Sequence, residues 1–140
     1  GIYELSEEMT IFEVLKKTSN YPSFDFFAQI GGGASGEIMI MEELNRPATG
    51  AGSITIYNKK KTDVFALMEK WAEFFHLGNC DKCVPCREGA YRLYEMVKKR
   101  KLDYDILDNL FLSLRESSFC ALGRGIPVPF ISLIEKVIKK

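Results

Sequence analysis

Residues 62–97 are TDVFALMEKWAEFFHLGNCDKCVPCREGAYRLYEMV, and this stretch decides the fold of the chain. Its apolar positions recur every three or four residues on both sides of a cysteine-rich loop, which predicts two amphipathic helices. Two later segments have the same period, so we expect four short helices in a small antiparallel bundle. The predicted apolar faces are Val64, Leu67, Met68, Trp71, Phe74 and Phe75, then Ala90, Leu93, Tyr94 and Val97, then Leu107, Leu110, Phe111 and Leu114, and finally Phe130, Leu133, Ile134 and Val137.

The first sixty residues have a different pattern, in which short alternating segments are separated by turns. Strands are predicted at residues 2–5, 24–30, 37–41 and 53–57. One helix is predicted between the first two strands, because Thr10 and Glu13 have the spacing of a capping box. The sequence therefore predicts an α+β protein, with one domain at residues 1–58 and a four-helix-bundle domain at residues 62–140.

Composition and charge are those of a soluble globular protein. The 140 residues include 19 basic and 19 acidic side chains, and 46% are hydrophobic. A net charge of zero gives no reason to expect nucleic acid or an anionic membrane as a partner. No segment approaches the roughly 20 apolar residues of a membrane span, and no secretory signal is visible. We expect a cytoplasmic protein, or one peripheral to a membrane complex, whose cysteines are reduced.

The four cysteines have the spacing of a metal centre. Cys80, Cys83 and Cys86 are separated by two residues each, and Cys120 follows much later in the chain. The first three lie between the first and second predicted helices, and the fourth lies between the third and fourth. In an antiparallel bundle these two loops are at the same end, so four thiolates can converge on one iron–sulfur cubane.

The neighbouring residues suit an anionic cluster. Lys82, Arg87 and Arg124 lie within a few residues of the cysteines and are expected to raise its reduction potential. Pro85 suits the first turn of a helix, and glycines at 78, 123 and 125 allow the backbone to approach the ligands closely.

Three other interpretations of the cysteines remain open at this point. Structural zinc also accepts four cysteine ligands, although its sites usually present two separate Cys-x2-4-Cys pairs. Disulfides would require an oxidised, metal-free sample. A thiol enzyme would need a base, and His76, the single histidine, is more simply explained by packing or capping near a helix end.

A glycine-rich segment at residues 31–36, GGGASG, matches the spacing of a dinucleotide-binding fingerprint. That fingerprint requires a helix immediately afterwards, whose N-terminus holds the pyrophosphate. The residues that follow, Glu37-Ile38-Met39-Ile40-Met41, alternate as a strand does. We therefore interpret the segment as a connection between strands.

Two groups of residues resemble a known family. The run from Cys80 to Gly89 (CDKCVPCREG), with Cys120-Ala121-Leu122-Gly123 downstream, resembles the C-terminal part of the NADH-binding flavoprotein subunit of respiratory complex I and of related NAD(P)-linked hydrogenases and formate dehydrogenases. The glycine-rich segments at 31–36 and 50–53 fall where that family has its soluble-ligand-binding β-grasp (SLBB) domain. Residues 2–5 match the second strand of that domain, so by this match the opening strand is missing.

The resemblance implies a relay of single electrons. In the family the cysteines that match Cys80, Cys83, Cys86 and Cys120 bind a 4Fe–4S cluster, which receives electrons from FMN reduced by NADH. FMN and NAD(H) would bind to an upstream domain that is absent from this chain, so the chain would not be a complete enzyme on its own. The implied partners are that domain and iron–sulfur subunits of the same complex, with no nucleic acid and no direct insertion into a membrane.

The family pattern has local departures in this chain. Gly78-Asn79 stand where Glu-Ser is usual, and Asp81 stands where a glycine usually follows the first cysteine. The parent enzyme is therefore left open, and two further hypotheses stay beside the first. One is a non-redox docking module with a four-cysteine zinc site, and the other is a free-standing ferredoxin-like carrier.

Overall fold

The computed structural model of the protein describes residues 1–48 and 50–139, so that Lys140, the last residue of the predicted second domain, lies outside it. The elements are α1 (Ile11–Lys17), β1 (Phe26–Ile30), β2 (Glu37–Ile40), β3 (Ile54–Asn58), α2 (Val64–Gly78), α3 (Val84–Lys98), α4 (Tyr104–Ser117), α5 (Ala121–Gly125) and α6 (Pro127–Leu133). A 3₁₀ turn at Met41–Glu43 follows β2, and a π-helical turn at Ile134–Ile138 follows α6. The predicted α+β class is confirmed. No helix in the described ranges is long and apolar enough to cross a bilayer.

The chain forms two compact units. The first, here called the sheet unit, consists of Gly1–Thr62 and the residues from Ser132 onward. The second, the helical unit, consists of Asp63–Ile131. The domain boundaries predicted from the sequence stay a prediction, but the grouping of the C-terminal residues with the sheet unit differs from the sequence-based expectation.

In the sheet unit, three strands form an antiparallel sheet in the order β2-β1-β3. The central strand β1 is buried along its whole length, and Ala28 lies opposite Met39 on β2 and Ile56 on β3. Burial of both faces explains why four of its five residues are apolar rather than every second one, and the exception, Gln29, is buried as well. The core of this unit is formed by Ile11, Leu15, Phe26, Ala28, Ile30, Met39 and Leu44.

The N-terminal segment contains one confirmed prediction and one that is wrong. The capping box of α1 is present, because the Thr10 N–H donates to Glu13 Oε2 at 2.8 Å and the Glu13 N–H donates to Thr10 Oγ1 at 3.2 Å. Residues 2–5, predicted as a strand, have no regular secondary structure, and Ile2 is fully exposed. An alternating pattern over four residues cannot by itself provide a pairing partner, and the sheet in the described part of the chain consists of β1, β2 and β3.

The C-terminal residues join the sheet unit through polar contacts to β2. Ser132 Oγ accepts a hydrogen bond from the Ile38 N–H at 2.9 Å. Lys136 Nζ lies 2.9 Å from Glu37 Oε1 and 3.0 Å from Glu43 Oε2, and it also donates to the Ile38 carbonyl at 2.9 Å. Sequence periodicity could not predict this grouping, because it specifies an apolar face but not which element covers it.

We expect Lys136→Met to lower the free energy of unfolding by about 1 kcal/mol. The substitution removes the ion pairs and the hydrogen bond of the Lys136 ammonium, which water screens only in part. Its side chain is 18% exposed, whereas that of Arg46, the other cation on Glu37, is 51% exposed. Arg46→Met is therefore the matched control and should cost less. Urea unfolding of the two variants measures the difference, and equal losses would contradict the prediction.

The effect of Lys136→Met should also depend on pH. Burial would raise the pKa of Glu37, but hydrogen bonds and charges from Lys136 and Arg46 outweigh it and hold that pKa below its ordinary value of 4.5. A carboxyl with a lowered pKa in the folded state stabilises the fold above its ordinary pKa. The stability difference between wild type and K136M should therefore shrink as the pH falls below 4.5.

In the helical unit, α3 packs against both α2 and α4. The side chains of Trp71 on α2 and Phe111 on α4 lie against Phe130 on α6, with ring centroids 5.6 Å and 6.1 Å apart. The predicted apolar faces of α2, α3 and α4 are largely confirmed, since most of the residues named for them are buried. These are Leu67, Met68, Trp71, Phe75, Ala90, Leu93, Val97, Leu107, Phe111 and Leu114.

Two details of the helical prediction differ from the structure. Phe74 is 55% exposed, because it lies at the margin of the α2 stripe, about 100° around the helix from Phe75. The fourth predicted helix is preceded by an additional short helix, α5. The two are separated at Ile126, and α6 begins at Pro127, because proline has no N–H with which to continue the hydrogen bonds of α5.

Candidate metal centre

All four predicted ligand cysteines belong to the helical unit; one lies in a loop and three lie at the starts of helices. Cys80 lies in the loop after α2, and Cys83 is the N-cap of α3. Cys86 is in the first turn of α3, and Cys120 is the N-cap of α5. Cys83 and Cys86 are each 6% exposed, whereas Cys80 and Cys120 are exposed. The site thus has a buried side and a side that faces solvent.

Asn79 organises the loop that carries the first three cysteines. Its Nδ2 donates to the carbonyls of Phe75 and His76, at 3.2 Å and 2.8 Å, and so satisfies the C-terminal end of α2. Its Oδ1 accepts from the Asp81 N–H at 2.9 Å. Asp81 has a φ of 57°, a left-handed conformation that aspartate tolerates better than most residues. This conformation explains why the resembling family usually has a glycine at the same position.

Two arginines, Arg87 and Arg124, donate hydrogen bonds to backbone carbonyls in the loops that precede Cys83 and Cys120. Arg87 Nη1 donates to the Asp81 carbonyl at 3.4 Å, and Arg87 Nε pairs with Glu88 at 3.0 Å. Arg124 Nε donates to the carbonyl of Ser118 at 3.0 Å. These bonds stabilise the loops before Cys83 and Cys120, in addition to any effect of the positive charges on a bound anion.

The backbone around Cys83 favours its ionised form. The Phe119 N–H donates to the Cys83 sulfur, and the amides of Cys86 and Cys83 itself contribute, so that the pKa of this thiol is lowered despite its burial. Amide donors that point at a sulfur stabilise a thiolate ligand before any metal arrives.

The pKa of Cys86 is raised rather than lowered, and the other three cysteines contribute to this shift. Burial, and after it the negative charges of Cys83, Cys120 and Cys80, together raise the pKa of the Cys86 thiol to about 11. Charges act strongly only over short distances in salt solution, so each of the other three cysteines lies near enough to Cys86 to oppose its ionisation. Among the described residues, no three His, Cys, Asp or Glu side chains form a group that could hold a single metal ion.

The glycines near the cysteines have different roles. A Cβ added at Gly123 would lie 3.3 Å from Cys86 Cβ and 2.6 Å from Ser118 Cβ, so only glycine fits here without a shift. The predicted close approach is therefore found at Gly123. Gly78 was expected to behave in the same way, but a Cβ there would meet nothing within 4 Å.

Ser118 is a residue of the site that sequence patterns did not reveal. It is 2% exposed, and its Oγ has no hydrogen-bond partner in the described part of the chain. Its only sequence signal is a position two residues before Cys120. By contrast, His76 behaves as the packing interpretation predicts, because its ring stacks on Tyr94 with centroids 5.6 Å apart and lies 5.3 Å from that of Tyr91.

The burial and pKa differences predict an order of thiol modification in the metal-free protein. We expect iodoacetamide to modify Cys80 and Cys120 first and Cys86 last, because the thiolate is the reactive form and Cys86 is buried with a pKa of about 11. Timed alkylation at about pH 8, near the ordinary thiol pKa, followed by peptide mass spectrometry, measures the order. Modification of Cys86 as fast as Cys120 would contradict it.

Comparisons with known proteins match this chain to a part of NADH oxidoreductase subunits. A family model described as the NADH-ubiquinone oxidoreductase-F iron-sulfur binding region matches residues 66–139. Over 96% of its length the chain is 31% identical to a subunit of the NADH-quinone oxidoreductase of Streptomyces coelicolor, of which it covers 34%. Over 70% of its length it is 28% identical to the mitochondrial NADH-ubiquinone oxidoreductase 51 kDa subunit of Neurospora crassa, of which it covers 21%.

A solved structure has the same fold. The crystal structure of an NAD+-reducing [NiFe]-hydrogenase in the H2-reduced state matches 96% of this chain and 25% of that chain, with a TM-score of 0.85 and 24% identity. The likeness covers both the sheet unit and the helical unit. The chain spans about a third or less of the length of the two curated relatives.

Proposed function

This chain belongs to the NADH-ubiquinone oxidoreductase-F iron-sulfur binding region family, and from that premise we propose that Cys80, Cys83, Cys86 and Cys120 hold one 4Fe–4S cluster. The observation that carries the proposal is that all four cysteines lie within the residues that the family model matches, with Cys83 and Cys86 at the start of α3 and Cys120 at the start of α5, whose Gly123 closely approaches Cys86. The chain offers these four cysteines and no others as thiolate ligands.

The residues present fit such a cluster. Four thiolates are the usual ligand set of a 4Fe–4S cluster, and two of these cysteines are buried, which limits the access of water. The amide donors on Cys83 offset the negative charge of that thiolate. The raised pKa of Cys86 means that this thiol is protonated in the metal-free protein at neutral pH, so cluster binding must displace its proton.

The proposed role of the chain is to relay single electrons. When bound, a cluster of this type accepts and donates one electron at a time, at a potential set by its charge, hydrogen bonds and solvent exposure. Cys83 and Cys86 would hold its buried side, while the exposed Cys80 and Cys120 would leave the other side accessible to a redox partner. The cationic Arg87 and Arg124 would fix the loops that carry these ligands.

We infer that the donor and acceptor lie outside these residues. The relatives are named as subunits of NADH oxidoreductases, and the chain spans only about a third or less of them. A flavin- and NAD(H)-binding domain of the same enzyme complex is the proposed electron donor. Iron–sulfur subunits of the same complex are the proposed acceptors.

Anaerobic reconstitution tests the proposal directly. The protein is loaded with iron and sulfide, both are counted, and the dithionite-reduced sample is examined by EPR. About four irons and four sulfides per chain with the signal of a reduced cubane are expected. About one zinc per chain, no acid-labile sulfide and no signal would overturn the proposal and favour the docking module with a structural zinc site.

A further inference from the structure

We propose that the hydroxyl of Ser118 donates a hydrogen bond to a sulfur of the bound cluster and thereby raises its reduction potential; this inference rests on the cluster proposed above. Ser118 would act as a positioning residue, because it supplies no ligand and alters the cluster through one hydrogen bond. Its role is distinct from those of the four cysteines and of the arginines nearby.

The first observation is that the Ser118 hydroxyl is buried and unsatisfied. The side chain is 2% exposed, and Oγ has no hydrogen-bond partner in the described residues. The backbone of the same residue is satisfied, since its N–H donates to the Leu114 carbonyl at 3.3 Å and its own carbonyl accepts from Arg124 Nε. A buried hydroxyl without a partner is unfavourable, so a partner outside the chain is expected.

The second observation is where this hydroxyl lies. Ser118 ends α4 as its C-cap, two residues before Cys120. Its side chain lies against Gly123, and a Cβ built at Gly123 would also lie 3.3 Å from Cys86 Cβ. The next residue, Phe119, donates its N–H to the Cys83 sulfur. The unsatisfied hydroxyl therefore lies against Gly123, which also approaches Cys86, and it is one residue from Phe119 and two residues from Cys120 in the chain.

An anionic sulfur is the chemical partner that such a hydroxyl lacks. Hydrogen bonds to an ionised acceptor are stronger than neutral ones, and cluster sulfurs are more negative in the reduced state. A donor therefore stabilises the reduced state more than the oxidised state, which raises the potential. Serine hydroxyls near a helix end can instead donate a hydrogen bond to a backbone carbonyl of the preceding turn. Ser118 Oγ makes no such hydrogen bond in the described part of the chain.

The test compares Ser118→Ala with Ser113→Ala in the reconstituted chain. Ser113 is exposed on the same helix, so its variant loses the same atoms away from the cysteines. Iron and sulfide are counted in each protein, and the midpoint potential is measured by EPR during a redox titration. Pulsed ENDOR in H₂O and D₂O records exchangeable protons coupled to the reduced cluster.

We expect S118A to bind a full cluster with a more negative potential and one fewer exchangeable coupled proton, while S113A matches the wild type. A ten-fold lower ratio of reduced to oxidised cluster at a fixed potential would correspond to about 59 mV for this one-electron couple. S118A should fold normally, because it removes an unsatisfied buried group.

Each other outcome has a defined meaning. An S118A potential and proton spectrum equal to those of wild type would overturn the role of Ser118 while leaving the cluster proposal intact. Loss of the cluster from S118A alone would also overturn it, since a residue that only tunes the potential is not needed for loading. A wild-type chain that binds no iron and sulfide would instead reject the function on which the inference rests.

Discussion

Cys86→Ala is expected to lower the iron and sulfide bound by the reconstituted chain by more than about ten-fold, because even the loss of an outer partner of a metal ligand costs about 10–100-fold in affinity. Cys86 lies in the first turn of α3 and is 6% exposed, so water cannot easily replace its thiolate. The chain has four cysteines in total, which leaves no spare thiol to take its place. Iron and acid-labile sulfide assays after anaerobic reconstitution measure the loss.

The control for this variant is the fold of the metal-free protein. Cysteine behaves as a small hydrophobic residue when buried, so alanine at position 86 should preserve the circular dichroism spectrum and leave the helices intact. Ser113→Ala, on the exposed face of α4, should load as the wild type does. A folded C86A protein with full iron and sulfide would show that Cys86 is not a ligand.

The metal-free proteins should also differ in alkaline solution. Because the pKa of Cys86 is raised from 9.0 to about 11, this thiol favours the folded state most at low pH, and its contribution is lost as the pH rises through that range. Wild type should therefore lose stability relative to C86A between pH 9.0 and about 11. This pH dependence follows from burial and from the three neighbouring thiolates, and it does not require a cluster.

The sequence predicted the helical unit better than the N-terminal segment, for a physical reason. Leu67, Trp71 and Phe75 recur over three turns of one helix, and burial of such a stripe is a local consequence of helical geometry. Residues 2–5 have a pattern of only four positions, and a strand also needs a partner that the pattern does not specify.

The same distinction applies to the candidate site. Cysteine spacing identified the proposed ligands, because a short ligand loop requires residues at fixed separations. Ser118 could not be found in this way, because its importance depends on burial against Gly123 and on the lack of a hydrogen-bond partner among the described residues. Both are properties of three-dimensional packing, which a sequence pattern does not show.

Gly123→Ala is expected to lower the free energy of unfolding of the helical unit by about 1–3 kcal/mol, the usual cost of adding a methyl group to a packed interior. The new Cβ would lie 2.6 Å from Ser118 Cβ and 3.3 Å from Cys86 Cβ. These atoms adjoin the backbone and cannot turn aside as the end of a long side chain can. The change should also impair cluster loading, because it displaces the turn of α3 that carries Cys86.

Two further variants make this prediction specific. Gly78→Ala is the matched control in α2, where an added Cβ meets nothing within 4 Å, and it should be neutral or slightly stabilising because alanine favours a helix over glycine. The double variant Gly123→Ala with Ser118→Gly removes the closest clash and should recover part of the lost stability. Urea unfolding of the metal-free wild type and these variants measures both effects. If G123A were as stable as G78A, the close packing of Gly123 against Ser118 and Cys86 would be wrong, and the position proposed for the Ser118 hydroxyl would be wrong with it.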